Sequence, residues 1–223
     1  VEITGTNTYG NELEAVVSTN SNGQKHYQWW HSSNSNATSG TNITGATGST
    51  YTIGAGLTGE YIGVTVTIDA GTNWNAATAA TDITDAETNG TGATEKKELT
   101  VANFEYSPIT KVYDGNTNAP AGFTVTATTS SGFVSTDTVT IEYDTATYDT
   151  ATAGDNKTIT VTGMRLSGTN ADDYELNTTT YAKTGATIEK ATATNSVTIT
   201  GTNTYGNELE AVVSTNSNGT KHY

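Results

Sequence analysis

"YIGVTVTID", residues 61–69, decides the fold class of this chain. Ile62, Val64, Val66 and Ile68 fall on one face, and Thr65, Thr67 and Asp69 on the other. Strict alternation of this kind marks a strand with one face buried and one in water. The pattern recurs along the chain. "FTVTAT" sets Phe123, Val125 and Ala127 against Thr124, Thr126 and Thr128. "TVTIEYD" sets Val139, Ile141 and Tyr143 against Thr140, Glu142 and Asp144, and "KTITVTG" repeats the period with Ile159 and Val161. Clusters of Gly, Asn, Asp and Ser between these runs mark turns. No stretch carries a capped 3.6-residue period. Many short, one-faced strands predict an all-β chain built of two-sheet sandwiches.

The composition fits that reading. Only 33% of the 223 residues are hydrophobic, below the 45–50% or so usual in globular domains. Thr makes up more than a fifth of the chain. It is β-branched, favours strands and tolerates water, so it suits the outer face of every strand. The net charge of -14 would repel a phosphate backbone, so nucleic acid is excluded as a partner and anionic membrane surfaces are disfavoured. There is no cysteine, hence no disulfide or thiolate metal site. No apolar run approaches the roughly 18–20 residues of a membrane span.

A long internal repeat organises the chain. "ITGTNTYGNELEAVVSTNSNG" occupies residues 3–23 and returns unchanged at 199–219. At the offset of 196, residues 1–27 and 197–223 differ only where Glu2 faces Thr198 and Gln24 faces Thr220. Identity of this kind points to recent tandem duplication, with one full unit and the start of the next. "KHY" closes the second copy where the first runs on as "KHYQWWH", so the chain reads as a window on a longer array. Two polar stretches, "DAETNGTGATEKKE" (85–98) and "TGATIEKATATNS" (184–196), share TGAT and read as linkers. They divide the chain into a first module at 1–97, a second at 98–191, and the opening strands of the next first module at 192–223.

Two resemblances sharpen this division. "ITGTNTYGNELEAVV", "YQWW", "ITGATGSTYTI" and "LTGEYIGVTVT" in the first module resemble bacterial immunoglobulin-like repeats of surface proteins. Alternation places Tyr27 and Trp29 on one face of that strand and Gln28 and Trp30 on the other. Trp29 is the expected core residue, with Trp30 partly exposed or at an interface. "KVYDGNTNA" (111–119), "DTVTIEY", "KTITVTGMRLSGTNADDYEL" and the closing "TGATIEK" resemble the YDG repeat domain of secreted, adhesin-type bacterial proteins. Both resemblances imply immunoglobulin-like β-sandwiches in tandem, an extended array, and no catalysis.

His26 and His31 flank the "YQWW" strand five places apart, which puts them on opposite faces and argues against a zinc pair. Carboxylates gather at Asp82, Asp85 and Glu87, at Asp137, at Asp144 and Asp149, and at Asp172–Asp173; these read as a solvated acidic surface. None matches a calcium-loop pattern such as D-x-[DN]-x-[DN]-G. The acidic residues near the junctions, within 82–98 and 189–196, are the candidates for bound calcium. In "YDG" (Tyr113–Gly115), Asp-Gly is a turn and Tyr113 an edge of the core. Trp29, Trp30 and Trp74 are the candidates for a glycan-stacking platform, and Lys111 is the candidate for an internal isopeptide bond. No nucleophile or acid–base constellation is present, so no catalytic, cofactor or metal residue is assigned.

The expected function is a structural segment of a long bacterial cell-surface or extracellular fibre, an adhesin stalk. Its partners would be neighbouring repeats of the same protein and other copies in a filament. The alternative is a glycan-binding adhesin module using exposed Trp residues. Residues 197–223 are expected to complete a domain, in the same chain or in a neighbouring one.

Overall fold

A computed structural model describes residues 1–83, 92–217 and 219–220. The calcium candidates Asp85 and Glu87 lie outside the described residues. Seven strands form the first part of the chain: β1 (Glu2–Gly5), β2 (Glu12–Val16), β3 (Lys25–Ser32), β4 (Thr41–Asn42), β5 (Thr50–Thr52), β6 (Tyr61–Ile68) and β7 (Ala77–Ile83). They make a three-stranded sheet ordered β1-β2-β5 and a four-stranded sheet ordered β4-β3-β6-β7. Both sheets send their apolar faces into one core. Ile3, Leu13 and Ala15 come from the first sheet, and Trp29, Ile62, Val64, Val66 and Ile68 from the second. The alternation read in "YIGVTVTID" is therefore the burial pattern observed, because a one-residue slip would turn the whole set outward. The Trp29 indole donates from Nε1 to the carbonyl of Gly48 at 2.9 Å, so its one polar atom is satisfied inside the core.

Trp30 departs from expectation. It is 1% exposed, not an exposed or interface residue. It lies on the face of β3 away from the main core, and its cross-strand partner in β6 is Gly63. A Cβ on Gly63 would overlap the benzo ring of Trp30, and one on Gly40 would meet Cε3 at 2.7 Å. The indole thus lies flat in the space two glycines leave, a use of strand glycine that period-two reading passes over. Gly63→Ala is expected to destabilise the protein by about 1–3 kcal/mol, the usual range for overpacking. A urea midpoint unchanged from wild type would contradict the packing described.

The next ten strands are β8 (Lys97–Leu99), β9 (Glu105–Ser107), β10 (Thr110–Val112), β11 (Thr124–Thr126), β12 (Thr140–Glu142), β13 (Thr145–Tyr148), β14 (Gly154–Thr162), β15 (Arg165–Ser167), β16 (Tyr174–Leu176) and β17 (Tyr181–Glu189). A four-stranded sheet runs β10-β17-β14-β13, with β10 parallel to β17. Three two-stranded pairs, β9–β11, β12–β15 and the parallel β8–β16, complete the enclosure. Their core holds Leu99, Phe104, Tyr106, Phe123, Val125, Ile141, Ile159, Val161 and Ile188, as alternation predicted for Phe123, Val125, Ile141, Ile159 and Val161. Tyr9, from the first part of the chain, is also a member of this core. No α-helix occurs among the described residues; three single 3₁₀ turns are the nearest approach.

The last two strands, β18 (Asn195–Thr200) and β19 (Glu210–Thr215), form an antiparallel hairpin. Its register pairs Ile199 with Ala211, as β1–β2 pairs Ile3 with Ala15. The sequence repeat is thus also a repeat of pairing geometry.

Candidate functional site

Among the described residues, three of the four buried polar residues, Asn7, Thr94 and Asp173, lie where the first part of the chain meets the second. The turn after β1 carries Asn7 and Tyr9, and Thr94 and Glu95 run beside it. Asn7 is buried and donates to the Gly92 carbonyl at 2.6 Å; its own Oδ1 accepts from the Thr94 hydroxyl at 3.1 Å. The Glu95 amide donates to the Asn7 carbonyl at 2.8 Å, and the Tyr9 amide to the Glu95 carbonyl at 3.0 Å. The entering segment is held on its other side by Gly59 and Glu60, whose amide and carbonyl pair with Thr94 at 2.8 Å each.

Beyond this, Tyr9 reaches into the second core. Its hydroxyl donates to Asp137 Oδ2 at 2.6 Å, and Tyr174 donates to the same oxygen at 2.5 Å. The two rings meet edge to face, with centroids 5.3 Å apart. Burial, then the bond to Asp137, pushes both phenols far above their ordinary range, so both stay protonated donors. A second carboxylate closes the other side. Asp173, 4% exposed, accepts from the Gly56 amide at 2.9 Å and the Thr58 hydroxyl at 3.0 Å. Hydrogen bonds to an ionised acceptor are the stronger kind. Two acids of the second part therefore grip two loops of the first.

Carboxylate clustering alone reads Asp137 and Asp173 as solvated surface. The structure corrects that: they are contacts across the junction. Carboxylate clustering does not reveal this, because the donors Tyr9, Gly56 and Thr58 lie 128, 117 and 115 residues away in sequence.

The "YDG" loop is organised around a lysine. The Lys111 ammonium donates to Asp114 Oδ1 at 2.8 Å, the Asn116 carbonyl at 2.9 Å, Asn116 Oδ1 at 3.1 Å and the Asn118 carbonyl at 2.8 Å. It also sits 5.3 Å from the centre of the Tyr148 ring. Asp114, Asn116 and Asn118 have the D-x-N-x-N spacing of a cation loop, with Ala119 where the glycine would stand. The loop's oxygens converge on the tethered cation of Lys111. Gly115, at φ +83°, makes the turn, as Asp-Gly predicted. Tyr113 is 46% exposed and is not the core edge expected of it. The hydrogen bond from Lys111, with others in the loop, holds the Asp114 carboxyl below its ordinary range. Asp114 is exposed, so it is not the buried acid that an isopeptide bond at Lys111 needs; the arrangement is an ion pair.

Replacing Lys111 with methionine leaves these oxygens without their common donor. The expected loss is about 2–3 kcal/mol, from charge-assisted bonds. The depressed Asp114 contributes stability that is complete above the ordinary carboxylate range and is lost as the pH falls below that range, through the lower folded-state pKa. The variant's deficit should therefore shrink on acidification, read from urea midpoints across the acid range. A constant deficit would contradict the ion pair.

The remaining candidates are placed apart. His26 faces Asp69 at 2.9 Å and His31 faces Glu60 at 3.3 Å, as strand positions five apart require. Trp29 and Trp30 are buried, whereas Trp74 is 46% exposed, so the three Trp residues do not form one platform. Among the described residues there is no group of three or more His, Asp or Glu that could hold a metal ion.

The fold and junction define an all-β chain whose second part carries a lysine-centred Asp-Gly loop. Residues 94–181, which hold that loop, match the family model of the YDG domain. No curated protein and no solved structure matches the chain.

Proposed function

We propose that this chain is a structural repeat segment of a long extracellular or bacterial cell-surface fibre, an adhesin stalk, without catalysis. In this reading residues 1–97 and 98–191 are immunoglobulin-like sandwiches in tandem, and 192–223 open the next unit at a period of 196 residues. The junction is the observation that carries it. Asp137 and Asp173 spend buried hydrogen bonds on holding the first part against the second. That is the investment expected of a stiff spacer, because inter-domain motion is the default where such contacts are few. An array of such pairs converts gene length into reach, roughly 70–90 Å per unit from the strand rise of about 3.3 Å per residue. The acidic surface suits solubility outside a cell.

The glycan-binding alternative narrows to Trp74, the exposed member of the three. A glycan array probed with the full chain separates the two readings. No saturable binding is the expected result. Saturable binding that disappears in Trp74→Ala would overturn the stalk reading.

A further inference from the structure

Two strand pairs run parallel, and they hold the two ends of the second part. β8, its first strand, pairs with β16, Lys97 facing Tyr174 and Leu99 facing Leu176. β17, its last, pairs with β10, so that Thr110, Lys111 and Val112 face Thr187, Ile188 and Glu189. Every other strand pair among the described residues is antiparallel. Direction decides how a pair meets tension. Force carried by the backbone enters this part at the N-terminal end of β8 and leaves at the C-terminal end of β17. The N-terminal end of β10 leads back toward β8, so β10 and β17 are drawn in opposite senses along one axis. Their evenly spaced, slanted ladder bonds then share the load as shear. Strands pulled apart from adjoining ends lose their bonds one at a time. β8 and β16 are likewise sheared, because the C-terminal end of β16 leads on to β17.

The β10–β17 pair is also reinforced. At its two ends the Thr187 amide donates to the Ile109 carbonyl at 3.0 Å, and the Tyr113 amide to the Glu189 carbonyl at 2.8 Å. The hydroxyl of buried Tyr148 donates across the pair, to the Ile109 carbonyl at 3.0 Å and the Thr187 carbonyl at 3.2 Å. Lys111, on β10, lies over the Tyr148 ring and fastens the loop that follows through Asp114, Asn116 and Asn118. That loop reaches β13, the opposite edge of the sheet. There the Tyr148 amide donates to the Thr117 carbonyl at 2.6 Å, and the Ala119 amide to the Ala146 carbonyl at 2.9 Å. Edge strand β10 is therefore held to β17 by its ladder and to β13 by the lysine-centred loop. The geometry points to a mechanical function: the second part is a load-bearing clamp in which β10 and β17 resist tension in shear, and the "YDG" loop braces β10 on the sheet. This goes beyond the stalk reading, which asks for reach and not strength, and rests on it only for the source of the load.

The chain has no cysteine, so pairs of introduced cysteines define the pulling axis in single-molecule force spectroscopy. Full-length chains carrying Lys96→Cys and Lys190→Cys are pulled along the clamp. Chains carrying Tyr113→Cys and Lys190→Cys are pulled from the adjoining ends of β10 and β17, which peels the pair. All three positions are exposed, so the fold is kept. At one loading rate, first rupture should need more force along the clamp than in peeling. Equal forces, or a weaker clamp axis, overturn the proposal. Forced unfolding reads the unfolding rate. At constant force along the clamp, Tyr148→Phe should therefore unfold about fivefold faster, for loss of one hydrogen bond of typical net strength. Lys111→Met should lower the rupture force on the same axis. An unchanged rate or force removes that residue from the clamp. Ile141→Val, in the same core but on β12, should leave the difference between the axes in place. Its disappearance there would assign the contrast to general stability and overturn the clamp. Rupture forces do not bear on the glycan array, so failure of the clamp and failure of the stalk reading are told apart.

Discussion

Asp137→Leu is expected to lower stability by about 4 kcal/mol, because two phenols lose a charged acceptor at once. Tyr9 and Tyr174 are 5% and 2% exposed, and their hydroxyls share Asp137 Oδ2. Tyr174 keeps a bond from the Val134 amide, in which its oxygen is the acceptor; its own proton is left without the carboxylate. Asp137→Asn keeps an acceptor of the same shape without the charge and should cost less than half as much. Tyr9→Phe in the Asp137→Leu background should add little beyond the Asp137 change, since residues in one hydrogen-bond network are not additive. Urea unfolding of the single and double variants measures this. Fully additive losses would show that Tyr9 and Asp137 act independently.

The second large effect is alkaline unfolding. Burial, with Asp137 as a further cause for two of them, raises the phenols of Tyr9, Tyr106 and Tyr174 far above their ordinary range. A folded-state pKa raised above the unfolded one contributes stability that is complete below about pH 10 and lost as the pH rises beyond it. In that range the unfolded chain releases these protons and the folded chain retains them. Each phenol then removes about 1.4 kcal/mol per pH unit, so three remove about 4 kcal/mol per unit. The phenolate absorbance of these three side chains should rise together with loss of the near-ultraviolet signal. Complete phenolate formation with that signal intact would contradict the burial of these side chains.

Asp137, Tyr9 and Tyr174 lie at the junction, whereas Tyr106 lies within the second core, and the junction was not legible in the sequence. Strands were legible because the side-chain period of a pleated strand is two, so Ile62, Val64, Val66 and Ile68 had to share a face. Their common face needed no knowledge of what would cover it. The turn at Asp114–Gly115 was legible for a similarly local reason, since only the φ of one residue is at stake. The match of residues 94–181 to the YDG domain fits the order of motifs read there.

Trp30 shows how local reading fails. Alternation correctly set it opposite Trp29, and an outward-facing residue of a sheet is ordinarily solvated. Its burial depends on Gly63 across the strand pair and on Gly40 in a loop, each supplying space by lacking a side chain. Tyr113 failed in the opposite sense: the loop's order comes from Lys111 and its ring of oxygens, which leaves the aromatic free to face water.

By itself the sequence determined the alternating strands, their inward faces and the length of the repeat, because each follows from spacing along the chain. It did not show β17 (Tyr181–Glu189), which lies partly in the stretch 184–196 read as a linker and buries Ala186 and Ile188 between β10 and β14. Only the tertiary structure decided what the acids do. A carboxylate is solvated or clamped according to the donors that folding brings to it, and Tyr9, Gly56 and Thr58 reach theirs across more than a hundred residues. The same holds for the hairpin at 195–215. Its letters are those of residues 2–16, yet one copy is buried and the other bare, since burial belongs to the partner sheet and not to the strand.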